Sequence, residues 1–330
     1  MKNLVVFISL CLFVSCTSRT EKEYMEIEPI PVLADLESRM PGSLLVSNQY
    51  VIWTDPFSMD NQVHVVDLEM NKEIGALIGI GNGPKEFVVP NYFVSSNNEL
   101  YAYDMSKNRM FIYSIDSIKE QKKPFISSLD IETKGFTRIV KIKKEEFVFF
   151  DPDKPQSFQT EKGHVFGKYP FKENSIQNNY SLLQGNIAYN PNRNLLIYST
   201  MLFPYMAAYR KKGDTFELVW EYKKEVDYTV SLGKITLNEP KGGMMEMALT
   251  KDYIVTLERD TKDDLKGNTK AGRELKDLPQ TLFLYDYESN VKKIVDLKMP
   301  ILRIASDIST NTIYAIVVNP EFTLVKCEIE

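Results

Sequence analysis

The chain has 330 residues, 40 basic and 45 acidic side chains, a formal net charge of −5, and a composition 43% hydrophobic and 12% aromatic. Such a chain has ample material for a sizeable core, and its composition is globular, which excludes a disordered or low-complexity chain. Mild acidity without a long block of one sign excludes the basic footprint of a nucleic-acid binder.

The N-terminus opens Met1-Lys2-Asn3, and Leu4 to Val14 is almost wholly apolar. A basic start followed by a short apolar run reads as a secretory signal, too short to span a bilayer, which takes roughly 20 apolar residues. Phe13-Val14-Ser15-Cys16 resembles the lipobox of bacterial lipoproteins, and the resemblance implies cleavage before Cys16 and acylation of its thiol and amine. An ordinary signal peptide with an incidental Cys16 is the alternative reading. The expected organisation is a signal peptide over 1–15, a lipidated polar tether over 16–28 and one folded domain over 29–330. Thr17 is not the Asp that sorting reads as an inner-membrane signal, so an outer-membrane, periplasm-facing lipoprotein is expected. With Cys11 removed and Cys16 acylated, only Cys327 remains, and the fold must hold by burial without an internal disulfide.

Pro29-Ile30-Pro31-Val32-Leu33 opens the folded part, and its two prolines, which cannot donate to a ladder, suit a sheet edge. Strand-like runs follow in short succession: Ser43 to Val46, Tyr50 to Trp53, Gln62 to Leu68 and Glu73 to Ile78. After the glycine-rich stretch Gly79 to Phe87 come Tyr92 to Val94, Glu99 to Asp104 and Arg109 to Tyr113. Phe136 to Ile142 and Glu146 to Phe150 form a third pair, with His164 to Gly167 a later strand. Gly185 to Tyr189, Leu195 to Ser199, Tyr205 to Arg210 and Phe216 to Tyr222 supply a fourth unit. Met244 to Leu249, Tyr253 to Glu258, Thr281 to Asp286 and Val291 to Leu297 supply a fifth. Leu302 to Asp307, Thr312 to Val318 and Thr323 to Ile329 complete the series.

β-Branched and aromatic residues broken by Asp, Asn and Ser clusters are hairpin chemistry, and no long window carries a helical apolar stripe. The class is therefore all-β. Asp67 to Asn71, Asp104 to Asn108 and Asp286 to Asn290 share an Asp-x-x-x-Asn turn, which uneven spacing leaves unassigned to any one hairpin. Some 300 folded residues over six units give roughly 50 each, near the length of a four-stranded propeller blade. A six-bladed β-propeller is expected, seven shorter blades being the nearest alternative. The last unit is one strand short, so the segment around Ile27 to Leu33 is expected to supply it and close the ring.

The phrase Gly79-x-Gly81-x-Gly83-Pro84-x-Glu86-Phe87 resembles that of the six-bladed, TolB-like propeller lipoproteins, and is similar to the blade-linking phrase of NHL-repeat propellers. Trp53-Thr54-Asp55 and Leu100 to Asp104 share in the resemblance, which implies the same fold and a lipid anchor but no particular activity. Gly79, Gly81, Gly83, Pro84, Glu86 and Phe87 read as a structural turn. A phosphate cradle would need Ser or Thr after Lys85 and a helix to follow.

Two histidines, His64 and His164, with one free Cys make a poor zinc set, and no metal or cofactor is expected. No nucleophile elbow or Ser/His/Asp arrangement is evident. Trp53, Asp55, Phe203 and Tyr205 lie at strand ends, where aromatics either line a recognition face or pack between blades. Arg259 to Asp277 holds six basic and five acidic residues, as a partner-contacting or simply solvated loop. The expected role is a lipid-anchored binding or scaffolding module for an envelope protein or glycan, attached to the membrane through its lipid and not binding nucleic acid. The alternative is a hydrolase or lyase acting on a carbohydrate or lactone at the propeller's central mouth.

Overall fold

The structure is a computed structural model that describes residues 22–330 except 82, 84, 85, 89, 132–135, 144, 145, 173–176, 178, 239–241, 259–274, 276 and 277. Two N-terminal strands come first, β1 (Glu23–Glu26) and β2 (Ile30–Leu33). Blade 1 is β3 (Leu44–Ser47), β4 (Tyr50–Thr54), β5 (Asn61–Asp67) and β6 (Lys72–Gly79). Blade 2 is β7 (Pro90–Ser95), β8 (Glu99–Asp104), β9 (Arg109–Ser114) and, after the single turn α1 (Asp116–Lys119), β10 (Phe125–Asp130). Blade 3 is β11 (Arg138–Lys143), β12 (Glu146–Phe150), β13 (Phe158–Thr160) and β14 (Val165–Phe166).

The short helix α2 (Asn179–Leu183) leads into blade 4: β15 (Gly185–Asn190), β16 (Leu195–Thr200), β17 (Tyr205–Lys212) and β18 (Thr215–Lys223). An excursion hairpin, β19 (Tyr228–Ser231) and β20 (Lys234–Leu237), precedes blade 5. Blade 5 is β21 (Met244–Leu249), β22 (Ile254–Glu258), β23 (Thr281–Tyr285) and β24 (Val291–Asp296). Blade 6 is β25 (Ile301–Ser306), β26 (Thr312–Val318) and β27 (Phe322–Glu328).

The innermost strands β3, β7, β11, β15, β21 and β25 each neighbour the next, and β25 returns to β3. The ring is thus closed with six blades. β2 completes the last blade, in the order β2-β27-β26-β25, with Ile30 opposite Lys326 and Leu33 opposite Leu324. Pro31 sits on this outer edge, where its missing N–H costs no ladder bond.

The tether is shorter than its polar sequence suggests. β1 pairs in parallel with β24 as a fifth strand on blade 5. Charge complementarity holds it there: Glu26 lies 2.8 Å from Lys298, Glu23 lies 3.4 Å from Lys293, and the Tyr24 hydroxyl donates to Asp296 at 2.9 Å. The β19–β20 hairpin was likewise not legible from the strand rhythm. Leu232 and Gly233 at its tip both take positive φ (50° and 73°), the geometry of a two-residue hairpin turn. Its Ile235 packs into the core between blades 3 and 4.

Each blade buries both faces, and the core divides accordingly at the blade interfaces. On β26, Ile313, Ala315 and Val317 pack toward blade 5, while Tyr314 and Ile316 pack toward blade 1. The side-chain period of two therefore yields continuous apolar runs rather than alternation. Each fully buried Val, Leu, Ile or Phe contributes about 1.5–3 kcal/mol relative to exposure.

The Asp-x-x-x-Asn turns are local devices on different hairpins. Asp67 Oδ1 accepts the backbone N–H groups of Glu69 (2.9 Å) and Met70 (3.1 Å) between β5 and β6. Asp104 Oδ1 accepts that of Ser106 (2.9 Å) between β8 and β9, and Asp286 Oδ1 that of Glu288 (3.0 Å) between β23 and β24.

Cys327 lies in the core between blades 5 and 6, and burial pushes its thiol up to about 12. Only the thiolate alkylates readily. Iodoacetamide labelling mapped by mass spectrometry is expected to leave Cys327 unmodified in the folded chain at pH 8 and to modify it in urea. Fast native labelling would mean that the closing blade opens.

Candidate functional site

The channel has two mouths. At one, the inner strands end and turn back into the second strand of each blade. Here neighbouring blades are tied by polar side chains. Ser47 Oγ donates to the Ser95 carbonyl (2.8 Å), and Asn48 Nδ2 donates to the Ser96 carbonyl (2.9 Å) and Asn98 Oδ1 (2.7 Å). Asn98 in turn donates to Asp116 (3.1 Å), which also accepts the Tyr50 hydroxyl (2.9 Å). On the far side, Ser306 Oγ donates to the Leu249 carbonyl (2.7 Å) and Asn190 Nδ2 to the Tyr287 hydroxyl (2.8 Å). This rim is a polar framework with fixed geometry.

A cleft opens from the rim between blades 2 and 3. The cavity has a volume of about 680 Å³ and runs from Ser47, Ser95 and Ser306 at the mouth outward to Met110, Ile112, Ile126 and Leu129 on blade 2. Its cause is the shape of blade 3. β13 has three residues and β14 two, too few to cover the outer strands of blade 2. What they carry is committed to the other side: Phe158 and Phe166 pack against Tyr209 of blade 4, each at 5.6 Å between ring centroids. Ile126 and Leu129 are consequently exposed on β10. A register shift between Phe125 and Ser127 places Ile126 in a bulge.

Where the cleft meets the mouth, Glu99, Tyr101 and Lys141 form a closed cluster. The Tyr101 hydroxyl donates to Glu99 at 2.6 Å and accepts the Lys141 ammonium. Ser95 Oγ donates to the same carboxylate at 3.1 Å, and Lys141 Nζ lies 3.6 Å from it. Lys141 also sits 4.2 Å above the Tyr101 ring, whose other neighbour is Phe93, stacked at 4.9 Å. Burial, followed by the hydrogen bond to Glu99, raises the Tyr101 hydroxyl well above its ordinary value. Burial also raises Glu99, but the bonds from Tyr101 and Ser95 and the Lys141 charge outweigh it and hold the carboxyl below the usual range. Two residues beyond Lys141, Lys143 is exposed and makes no ion pair among the described residues.

The aromatic residues singled out from sequence lie elsewhere. Trp53 is 2% exposed and stacks on His64 at 4.0 Å, with His64 Nδ1 2.9 Å from Glu73. Asp55 is buried, and its Oδ1 accepts the Phe57 N–H at 2.9 Å. Phe203 and Tyr205 are both 0% exposed in the core between blades 3 and 4, Phe203 5.0 Å from Phe171. None of the four offers a contact surface. Aromatics at strand ends are drawn into the blade interfaces because large rings fill them, which leaves the interblade-packing reading. The cleft residues gave no sequence signal, since Met110, Ile112 and Leu129 look like any other strand residues.

The glycine phrase joins blade 1 to blade 2. Gly81 takes φ +148°, and a Cβ there would lie 2.2 Å from Glu86 Oε2. That same carboxylate accepts the Gly83 N–H at 2.8 Å, while the Gly81 N–H bonds the Phe87 carbonyl and the Phe87 N–H bonds the Gly79 carbonyl. Phe87 is buried edge-on to Phe111 at 4.8 Å, and Lys107 Nζ caps the Gly83 carbonyl at 2.8 Å. An internal carboxylate thus occupies the place a bound anion would take in a phosphate cradle. Pro84 and Cys16 lie outside the described residues, as does most of 259–277. Among the described residues, no group of three or more His, Cys, Asp or Glu gathers to hold a metal ion, and no helix is long and apolar enough to cross a membrane.

A family model described as TolB-like 6-blade propeller-like matches residues 30–307. No curated protein matches the chain. Among solved structures, the chain is similar to Kuenenia stuttgartiensis hydrazine synthase, at 10% identity, with a TM-score of 0.50 over 88% of this chain and 84% of that one. At that identity the likeness is one of fold alone.

Gly81→Ala is expected to destabilise the protein by about 1–3 kcal/mol in urea unfolding, from backbone strain at a position that requires glycine; an unchanged midpoint would mean the turn is not rigid. The low folded value of Glu99 contributes stability that is present above the unfolded carboxyl value, about 4.3, and is lost as pH falls through the folded one. The stability gap between wild type and Glu99→Gln is therefore expected to shrink below about pH 4 in thermal unfolding.

Proposed function

We propose, for a chain that belongs to the TolB-like six-blade propeller family, a lipid-anchored module of the cell envelope that binds a partner in the cleft between its second and third blades. The observation that carries this reading is the cleft itself: an apolar floor exposed by a truncated neighbouring blade and continuous with a rigid polar mouth. Exposed Ile126 and Leu129 suit the apolar side chains of a protein segment better than a glycan, and Lys143 supplies a cation at its inner end. Pockets with an apolar lining and a few fixed polar groups are the usual form of binding sites.

The anchor geometry supports the same role. β1 lies on blade 5 and β2 completes blade 6, and these blades stand across the ring from blades 2 and 3. Residues 17–22 between an acylated Cys16 and β1 reach at most roughly 20 Å. Blades 5 and 6 would then sit near an outer-membrane inner leaflet, with the cleft turned to the periplasm. A catalytic role at the mouth would call for a group poised to exchange protons near neutrality. The environment instead pushes Tyr101 up and Glu99 down.

Two measurements test this. Labelling with radioactive palmitate is expected to mark the wild-type chain and to fail on Cys16→Ser; equal labelling would remove the anchor at Cys16. The Cys16→Ser chain is expected to retain a protein partner from its own envelope extract. Leu129→Asp combined with Lys143→Glu should lower that retention at least tenfold, by burying an unpaired charge and reversing another. Retention unaffected by the double variant would exclude the cleft.

A further inference from the structure

Every blade ends in an outermost strand, and a free strand edge is a template for pairing with another chain. Among the described residues, five of the six edges are blunted. β24 is covered by β1, β2 carries Pro31, and β14 has only two residues. β18 carries Glu217, Glu221 and Lys223. β6 is overlain by α1, whose Ile118 Cγ2 would stand 2.9 Å from a Cβ at Gly75. β10 is different. Phe125 to Leu129 holds neither a charge nor a proline, and five of the six residues of β10 are exposed.

The backbone of β10 is open as well. The Ile131 N–H donates to the Asn108 carbonyl at 2.8 Å, next to the pair in which Asp130 stands opposite Arg109. Antiparallel pairing alternates hydrogen-bonded and non-hydrogen-bonded pairs, so the ladder bonds to β9 fall at Ile131, Leu129 and Ser127. The N–H and C=O groups of Ser128 and Asp130 therefore point away from β9, and among the described residues no backbone bond reaches them. This edge borders the cleft, which Ile126, Ser127 and Leu129 of the same strand line.

Blade 5 shows what such an edge accepts. β1 adds to β24 as a fifth strand, and its Glu26 lies 2.8 Å from Lys298, two residues beyond the end of β24. At β10 the matching cation is Lys123, two residues before the strand begins, exposed and without an ion pair among the described residues. Asp130 at the other end is already paired with Arg109. The charge left open along this edge is therefore positive. Building on the reading of the cleft as the partner site, we propose that an extended segment of the partner protein adds to β10 as a fifth strand of blade 2. Its backbone bonds the open groups of Ser128 and Asp130, and one of its carboxylates meets Lys123. Side chains on one of its faces lie over the cleft beside Ile126 and Leu129. Strand addition of this kind draws affinity from main-chain bonds and specificity from alternate side chains.

The test uses the Cys16→Ser chain and the protein it retains from its own envelope extract. Amide hydrogen exchange, read residue by residue by mass spectrometry, is expected to slow about tenfold or more at Ser128 and Asp130 when the retained protein is bound. Ser128→Pro removes a donor that faces outward and breaks no bond to β9. It is expected to lower retention about tenfold, the worth of one or two hydrogen bonds, while Ser128→Ala leaves retention unchanged. Both variants are expected to unfold within a few degrees of the parent chain; should Ser128→Pro fail to fold, the exchange at Ser128 and Asp130 decides. Lys123→Glu is expected to lower retention about threefold, and unchanged retention there removes the carboxylate from the proposed segment. Retention lost in Leu129→Asp with Lys143→Glu, but with free exchange at Ser128 and Asp130 in the complex, overturns strand addition and leaves the cleft reading standing. Retention kept in every variant, or no retained protein, overturns both. A second copy of this chain as the sole retained protein overturns the assignment to a partner.

Discussion

Burial of both faces of every blade is the constraint on which the rest of this protein depends. A sheet with two apolar faces is soluble only when each is covered, and a ring is the arrangement in which every sheet covers the next. The division of the core among the blade interfaces, with alternate residues of one strand such as Ile313 and Tyr314 serving different interfaces, is the direct expression of that requirement. Cys327, the one cysteine among the described residues, serves that core as a packing residue. Closure falls to the N-terminus, since the last blade arrives with three strands of its own and β2 is the fourth. β1 then extends the same segment onto blade 5, so one short stretch fastens two neighbouring blades.

Departures from the regular pattern are where function can reside. Blade 3 spends the few residues of its outer strands on blade 4, where Phe158 and Phe166 meet Tyr209. It leaves the outermost strand of blade 2, β10, bare. The opposite economy is visible between blades 1 and 2. There the glycine phrase folds back on itself around Glu86, and Ser47, Asn48 and Asn98 stitch the turns together. The cleft therefore has one firmly held wall and one truncated wall, which suits a site that receives a segment of another molecule. The Glu99–Tyr101–Lys141 cluster marks its inner end with groups that satisfy one another, so its polarity is fixed rather than available for proton exchange.

Charge is distributed as unevenly as bulk. The acidic excess of the chain lies away from the axis, while the inner strands present a basic wall. Overall composition carries no information about this local distribution of charge. Only closure of the ring brings Glu246 of blade 5 and Arg303 of blade 6 into an ion pair at 3.1 Å.

Much of the architecture was legible in the residues alone. Repeated short runs of β-branched and aromatic residues, turn chemistry at Asp67, Asp104 and Asp286, and a final unit lacking a strand pointed to six four-stranded blades closed from the N-terminus. The glycine phrase was readable as a turn from its three glycines and proline; at Gly81 the φ of +148° and the 2.2 Å that would separate a Cβ from Glu86 Oε2 are conditions only glycine meets. Those features are local: they follow from propensity, period and backbone sterics within a few residues. What the tertiary structure decided is everything that depends on which strands face one another. Trp53, Phe203 and Tyr205 entered interfaces because large rings are worth most where two sheets meet. β1 joined blade 5 because Lys293 and Lys298, some 270 residues on in the sequence, supply the complementary charge. The cleft exists because of what blade 3 omits, and an omission next to blade 2 has no signature in the sequence of blade 2 itself.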